Sequence, residues 1–154
     1  MNWTDYQKRG LSKLQKQQYK EAIKDFNKAI KLNPKDSLSL SYRGRSKFYL
    51  GQFEEAIKEL DKAIELNPED SSAWKYRGIS KFLLDQFEEA IKDLDKSLEV
   101  NPEDSESWSC RGKAKLALKD YKNALIDFEK YKELGSNDEI DELIKTCEEN
   151  LNSN

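Results

Sequence analysis

A period of 34 residues runs through this chain. Pro34, Pro68 and Pro102 stand 34 apart, as do Gly10, Gly44, Gly78 and Gly112. Ala22, Ala56, Ala90 and Ala124 keep the same spacing, and so does the aromatic column Tyr19, Phe53, Phe87 and Tyr121. Self-similarity at one fixed period is the signature of a stack of like units. The second and third units, Ser37–Asp70 and Ser71–Asp104, are identical at about two-thirds of their positions.

Each unit reads as two helices. In the third, helix A is predicted over Ser71–Leu84 and helix B over Phe87–Val100. Helix B carries Phe87, Ala90, Ile91, Leu94 and Leu98, the three-and-four spacing of an amphipathic helix. Asp85-Gln86 breaks the pair, as Gly51-Gln52 does in the second unit. Asn101-Pro102 ends helix B, because proline disfavours helical geometry in the residue before it. Asp104 or Ser105 then offers a side-chain oxygen to cap the next helix A. A glycine inside a helix costs about 1 kcal/mol relative to alanine. Four of them in register imply close backbone approach, with the alanine column of helix B as the expected partner.

The run Trp74, Gly78, Phe82, Phe87, Ala90, Leu94, Pro102 resembles the tetratricopeptide repeat consensus, and the resemblance covers residues 3 to about 136. It implies an all-α, right-handed superhelical solenoid of four helix–turn–helix repeats, with helices A lining a concave groove. It also implies a function in protein–protein interaction. The expected organisation is a single domain over residues 1–154, with repeats near 3–36, 37–70, 71–104 and 105–136.

The ends depart from the period. Gly135-Ser136 replaces the expected Asn-Pro. Gly135 can close helix B as a left-handed cap, and Ser136 with Glu139 has capping-box spacing. Ile140, Leu143, Ile144, Cys147 and Leu151 then share one face, which predicts a capping helix near 137–151. A solenoid needs such a cap on its last stacking face. At the front, no helix precedes Trp3, so the first helix A is expected to form an open edge.

Two basic columns, Arg9/Arg43/Arg77/Arg111 and Lys13/Lys47/Lys81/Lys115, lie four residues apart on helix A and so on one face. An acidic column, Asp25/Glu59/Asp93/Asp127, matches them on helix B. The columns read either as a stripe for an acidic ligand or as an internal ladder. The recurrence of balancing acids favours the ladder, at about 0–1 kcal/mol for each exposed pair. Glu54–Lys58 and Glu88–Lys92 are expected as solvated pairs on the convex side.

By the resemblance, a ligand lies along helices A. Positions that differ between units are the candidates, because packing alone would keep them alike. The groove residues are Gln7 and Leu11, then Ser41, Tyr42, Arg45 and Tyr49, then Lys75, Tyr76 and Ile79, then Ser109 and Lys113. Arg45, Lys75 and Lys113 would make the groove basic, and the tyrosines add aromatic surface with a polar end. The expected partner is a protein or peptide with acidic residues and apolar anchors. Chaperone-binding members of the family clamp a terminal carboxylate, but the matching positions, Gln7, Leu11, Tyr42, Ser72 and Tyr76, do not carry that clamp. A frame shifted by one repeat fits no better.

Composition excludes other classes. The net charge of −3 argues against general nucleic-acid binding, which needs excess Lys and Arg. Nowhere do 18 consecutive apolar residues occur, as a membrane helix would require. With no histidine, no phosphate-cradling glycine motif and no converging acids, no enzyme activity is expected. No cofactor or metal site is expected either, since the two cysteines form no CxxC pair. No secretory signal is apparent, and a reducing cytoplasm is the expected compartment. The alternative function is a self-assembling scaffold that uses the N-terminal edge or the convex face.

Overall fold

The computed structural model describes residues 1–135 and 140–153. Regular structure among them is helical throughout: α1 (Trp3–Gln15), α2 (Tyr19–Leu32), α3 (Ser37–Tyr49), α4 (Phe53–Leu66), α5 (Ser71–Leu83), α6 (Phe87–Val100), α7 (Ser105–Ala117), α8 (Tyr121–Glu133) and α9 (Asp141–Asn152). The helices pair as hairpins, α1 with α2 through α7 with α8, and each second helix packs on the first helix of the next unit. The result is an all-α repeat solenoid.

Local chemistry sets each boundary. Asp36, Asp70 and Asp104 cap α3, α5 and α7, accepting from the backbone N–H of Ser39, Ala73 and Ser107. Asn2 and Asp5 make a reciprocal capping box at α1. In the turns before the caps, Asn33, Asn67 and Asn101 accept from the N–H two residues on. The turns inside the hairpins place Gln17, Gly51, Asp85 and Lys119 in left-handed backbone, with φ of 60°, 74°, 59° and 62°.

The glycine column marks close approach, but its partner differs from the expected alanine column. A Cβ built on Gly10 would lie 2.6 Å from Phe26, on Gly44 2.8 Å from Leu60, on Gly78 2.9 Å from Leu94 and on Gly112 2.5 Å from Phe128. These partners stand sixteen residues on and are fully buried. The alanines are buried too, yet none is among the atoms nearest a glycine.

The same offset organises the charges. Arg9, Arg77 and Arg111 each grip Asp25, Asp93 and Asp127 through Nε and Nη2, and Arg43 grips Glu59. Lys13, Lys47, Lys81 and Lys115 reach the same acids. The columns therefore form a ladder within units. The remaining Nη1 of Arg43, Arg77 and Arg111 reaches back to Asn27, Asp61 and Asp95 of the preceding second helix. The expectation of exposed pairs fails, because the four acids lie beneath the surface. On the outer face, Lys58 and Lys92 pair with Glu55 and Glu89, one turn position nearer than Glu54 and Glu88.

First helices of successive units also touch one another, α1 with α3, α3 with α5 and α5 with α7, whereas second helices make no comparable contact. The array therefore curves with first helices inside. At the far end, Gly135 takes φ 92°, and α9 packs on α8 by burying Ile140 and Cys147 beside Ala124 and Phe128. The Ser136–Glu139 capping box lies outside the described residues.

Candidate functional site

The concave face is built by the inward-turned positions of α1, α3, α5 and α7. One column, Gln7/Ser41/Lys75/Ser109, spans the joint between units. Gln7 donates to the capping carboxylate of Asp36 at 2.7 Å. Lys75, in the same register, lies 3.1 Å from both Asp104 and Glu106. Burial works against the Lys75 charge, but Glu106 and Asp104 outweigh it and hold its pKa above the ordinary value. Ser41 and Ser109, in the same column, are buried.

Arg45 behaves differently. Its guanidinium lies over the rings of Tyr49, at 5.6 Å, and Tyr76, at 5.1 Å, a cation–π arrangement. Its Nε is buried without a hydrogen-bond partner. The other half-buried Lys and Arg side chains of the first helices, Lys13, Arg43, Lys47, Lys75, Arg77, Lys81, Arg111 and Lys115, are each ion-paired with a carboxylate. Arg45 has no such pair among the described residues.

The platform beneath Arg45 is held by a hydrogen bond and ring contacts. Tyr49 and Tyr76 share a hydrogen bond of 2.8 Å between their hydroxyls. Tyr19 stacks on Tyr49 with centroids 5.0 Å apart, and Phe48 meets Tyr76 edge-on. Burial and the Tyr49 contact push the Tyr76 hydroxyl far above its ordinary pKa, so it stays a neutral donor or acceptor. Tyr42 is half-buried against Phe26, and Leu11 packs beside it in the core of the first unit.

Further along, between α5 and α7, a cavity of about 340 Å³ opens. Ile79, Phe82, Leu83, Cys110 and Tyr131 give it apolar walls, and Glu106, Ser109 and Lys113 stand at its rim. Burial pushes the Cys110 thiol up to about 12, so it serves as a wall rather than a nucleophile.

The predicted residues thus divide. Arg45, Tyr49 and Tyr76 come together on one platform, while Ile79, Ser109 and Lys113 line the cavity. Gln7 and Lys75 sit in unit joints, Ser41 is buried in their column, and Leu11 and Tyr42 lie in core packing. Sequence reasoning missed Tyr19, Glu106 and Tyr131. Tyr131 had a signal, because it replaces the small residues Ala29, Ala63 and Ser97 of its column. Among the described residues no cluster could hold a metal ion, and no helix is long and apolar enough to cross a membrane.

The tetratricopeptide repeat sequence profile matches residues 6–36 and 71–104, and a second profile, TPR repeat, matches 44–85. This chain belongs to the tetratricopeptide repeat family. Among solved structures of similar fold is a MamA protein from Desulfovibrio magneticus RS-1, with a TM-score of 0.77 and 22% identity over 86% of this chain and 75% of that one. The first tetratricopeptide domain of Spaghetti (RPAP3), solved with the HSP90 peptide SRMEEVD, has a TM-score of 0.73 and 27% identity over 77% of this chain and 94% of that one. The first such domain of human RPAP3 is similar at 0.71 and 27%, over 79% and 95%. No similar sequence was found among the curated proteins. Tetratricopeptide repeat arrays of this kind mediate interaction between proteins.

Proposed function

We propose that this array binds an acidic segment of another protein along its concave face, as an adaptor rather than an enzyme. One observation carries the reading: Arg45 is held over Tyr49 and Tyr76 with a buried, unpaired Nε, where the other half-buried cations of the first helices already have their acid. A guanidinium so placed suits a carboxylate, which it can receive through two parallel hydrogen bonds. The RPAP3 domain lends support by fold, since its bound peptide is acidic. The residues of this chain differ from a terminal-carboxylate clamp, so an internal acidic side chain is the expected contact. Cytoplasmic placement belongs to the same reading, supported by two buried free thiols.

The test is selection from a displayed library of random peptides. Wild type should enrich acidic sequences, and Arg45→Glu should not. Equal enrichment by both proteins, or enrichment of basic sequences, refutes the reading. Lys75 is a poor choice for this test, because Lys75→Glu would break the joint with Asp104 whatever it did to binding.

A second reading has its own observation. Leu32, Leu66 and Val100 recur at one register and are 56%, 44% and 41% exposed. That apolar row suits self-association. A monomer by sedimentation at high concentration excludes it.

A further inference from the structure

The geometry points to a second subsite: the cavity between α5 and α7 takes an apolar side chain of the bound segment, about three positions along from the acidic residue held by Arg45. This rests on the groove reading above and adds a pocket and a spacing to it.

The pocket has the right size and polarity. A volume of about 340 Å³ is at the small end of ligand sites, and suits one large side chain with its flanking backbone. Phe82 and Ile79 form its inner wall and Tyr131 its far wall, and Leu83, 46% exposed, stands at the mouth. The charges at the rim balance, Glu106 against Lys113, but they are not paired with each other. Glu106 is answered by Lys75 at 3.1 Å, whereas exposed Lys113 has no carboxylate partner among the described residues. The occupant is therefore an apolar residue, and an acid beside it in the same segment would meet Lys113.

The spacing follows from helix geometry. Arg45 covers Tyr76 on the α3 side of α5. Ile79 lies one turn on along the same face and lines the cavity together with Cys110 of α7. Packed helices stand about 8–10 Å apart, and an extended chain advances about 3.3 Å per residue. One helix width is thus about three residues.

Peptides enriched from the random library supply the probe. The expected consensus places Asp or Glu about three positions from Phe, Leu or Met. Replacing that apolar residue with Ser should weaken binding by about tenfold or more, as loss of a buried anchor does. Leu83→Ser and Lys113→Glu, both at exposed positions, should each weaken the parent peptide several-fold while leaving the circular dichroism of the protein unchanged. Peptides that are lost with Arg45→Glu yet are indifferent to Leu83→Ser and Lys113→Glu overturn this subsite and leave groove binding standing. A consensus with no fixed spacing overturns it as well. No enrichment by wild type overturns both.

Discussion

The carboxylate of Asp127, fully buried, receives Arg111 through two parallel hydrogen bonds, Nε to Oδ2 at 2.9 Å and Nη2 to Oδ1 at 2.7 Å. Lys115 adds a third contact at 2.8 Å. Breaking a buried pair costs about 3–5 kcal/mol where it leaves an uncompensated charge, and less where, as here, Lys115 stays on the carboxylate. Arg111→Leu should therefore destabilise by about 1.5–3 kcal/mol in urea unfolding, beyond the 0–1 kcal/mol of a surface pair. The exposed pair Lys96–Glu99 is the control, and its removal should change stability by less than about 1 kcal/mol.

Asp25 gives the ladder a pH dependence. The Arg9 hydrogen bonds, helped by Lys13 and opposed by burial, hold its carboxyl at about 2, below the ordinary 3.8. A depressed carboxyl contributes stability that is full above its unfolded pKa and is lost as pH falls through its folded one. Stability should thus fall between about pH 4 and pH 2. Asp25→Asn should flatten that part of the curve of thermal midpoint against pH, and an unchanged curve would sink the assignment.

Gly112→Ala sets two effects against each other. Helix propensity favours alanine by about 1 kcal/mol. The new Cβ would stand 2.5 Å from Phe128, a ring with no exposure, so the ring or the backbone must shift. Overpacking of this kind costs about 1–3 kcal/mol, so the expected outcome is a lower melting temperature in calorimetry.

The hairpin turns can be improved. Asp85 and Lys119 hold φ near 60° where the second unit has Gly51. A left-handed non-glycine residue costs about 1–3 kcal/mol, of which glycine's own entropy returns about 0.5–1. Asp85→Gly and Lys119→Gly should each stabilise by about 0.5–1 kcal/mol, seen as a rise of about 2–4 °C per kcal/mol.

Removing residues 137–154 uncovers Phe128, Leu125 and Tyr131, against which Ile140, Leu143 and Cys147 pack. The truncated chain should melt lower and associate in light scattering. A thermal midpoint that stays put would refute a capping role for α9.

Much of the fold was legible because the period repeats the same contacts. Glycine, proline and the aromatic column each mark a turn or a crossing that recurs every 34 residues. The depth of the acids was not legible, since an Asp opposite an Arg looks alike on a surface and under one. Nor was the true partner of the glycines. Alanine suggests closeness by its size, yet Phe26 and Leu60 make the contact, and only their rotamers place them there. The groove was legible in part. Variation between units singled out Arg45, which lacks an acid, but also Gln7 and Lys75, which vary because each closes the joint to the next capping aspartate in its own way.

The arginine that reaches backward has an evolutionary consequence. Arg77 finds Asp61 in the unit before it, and Arg111 finds Asp95. A duplicate of residues 71–104 inserted after the original would meet Asp95 with its own arginine and would offer the copied Asp95 to Arg111. The arginine rung of every seam would stay chemically the same. The array can therefore grow or shrink by whole units without a new fold, and the length of partner it spans becomes a quantity that duplication sets in discrete steps.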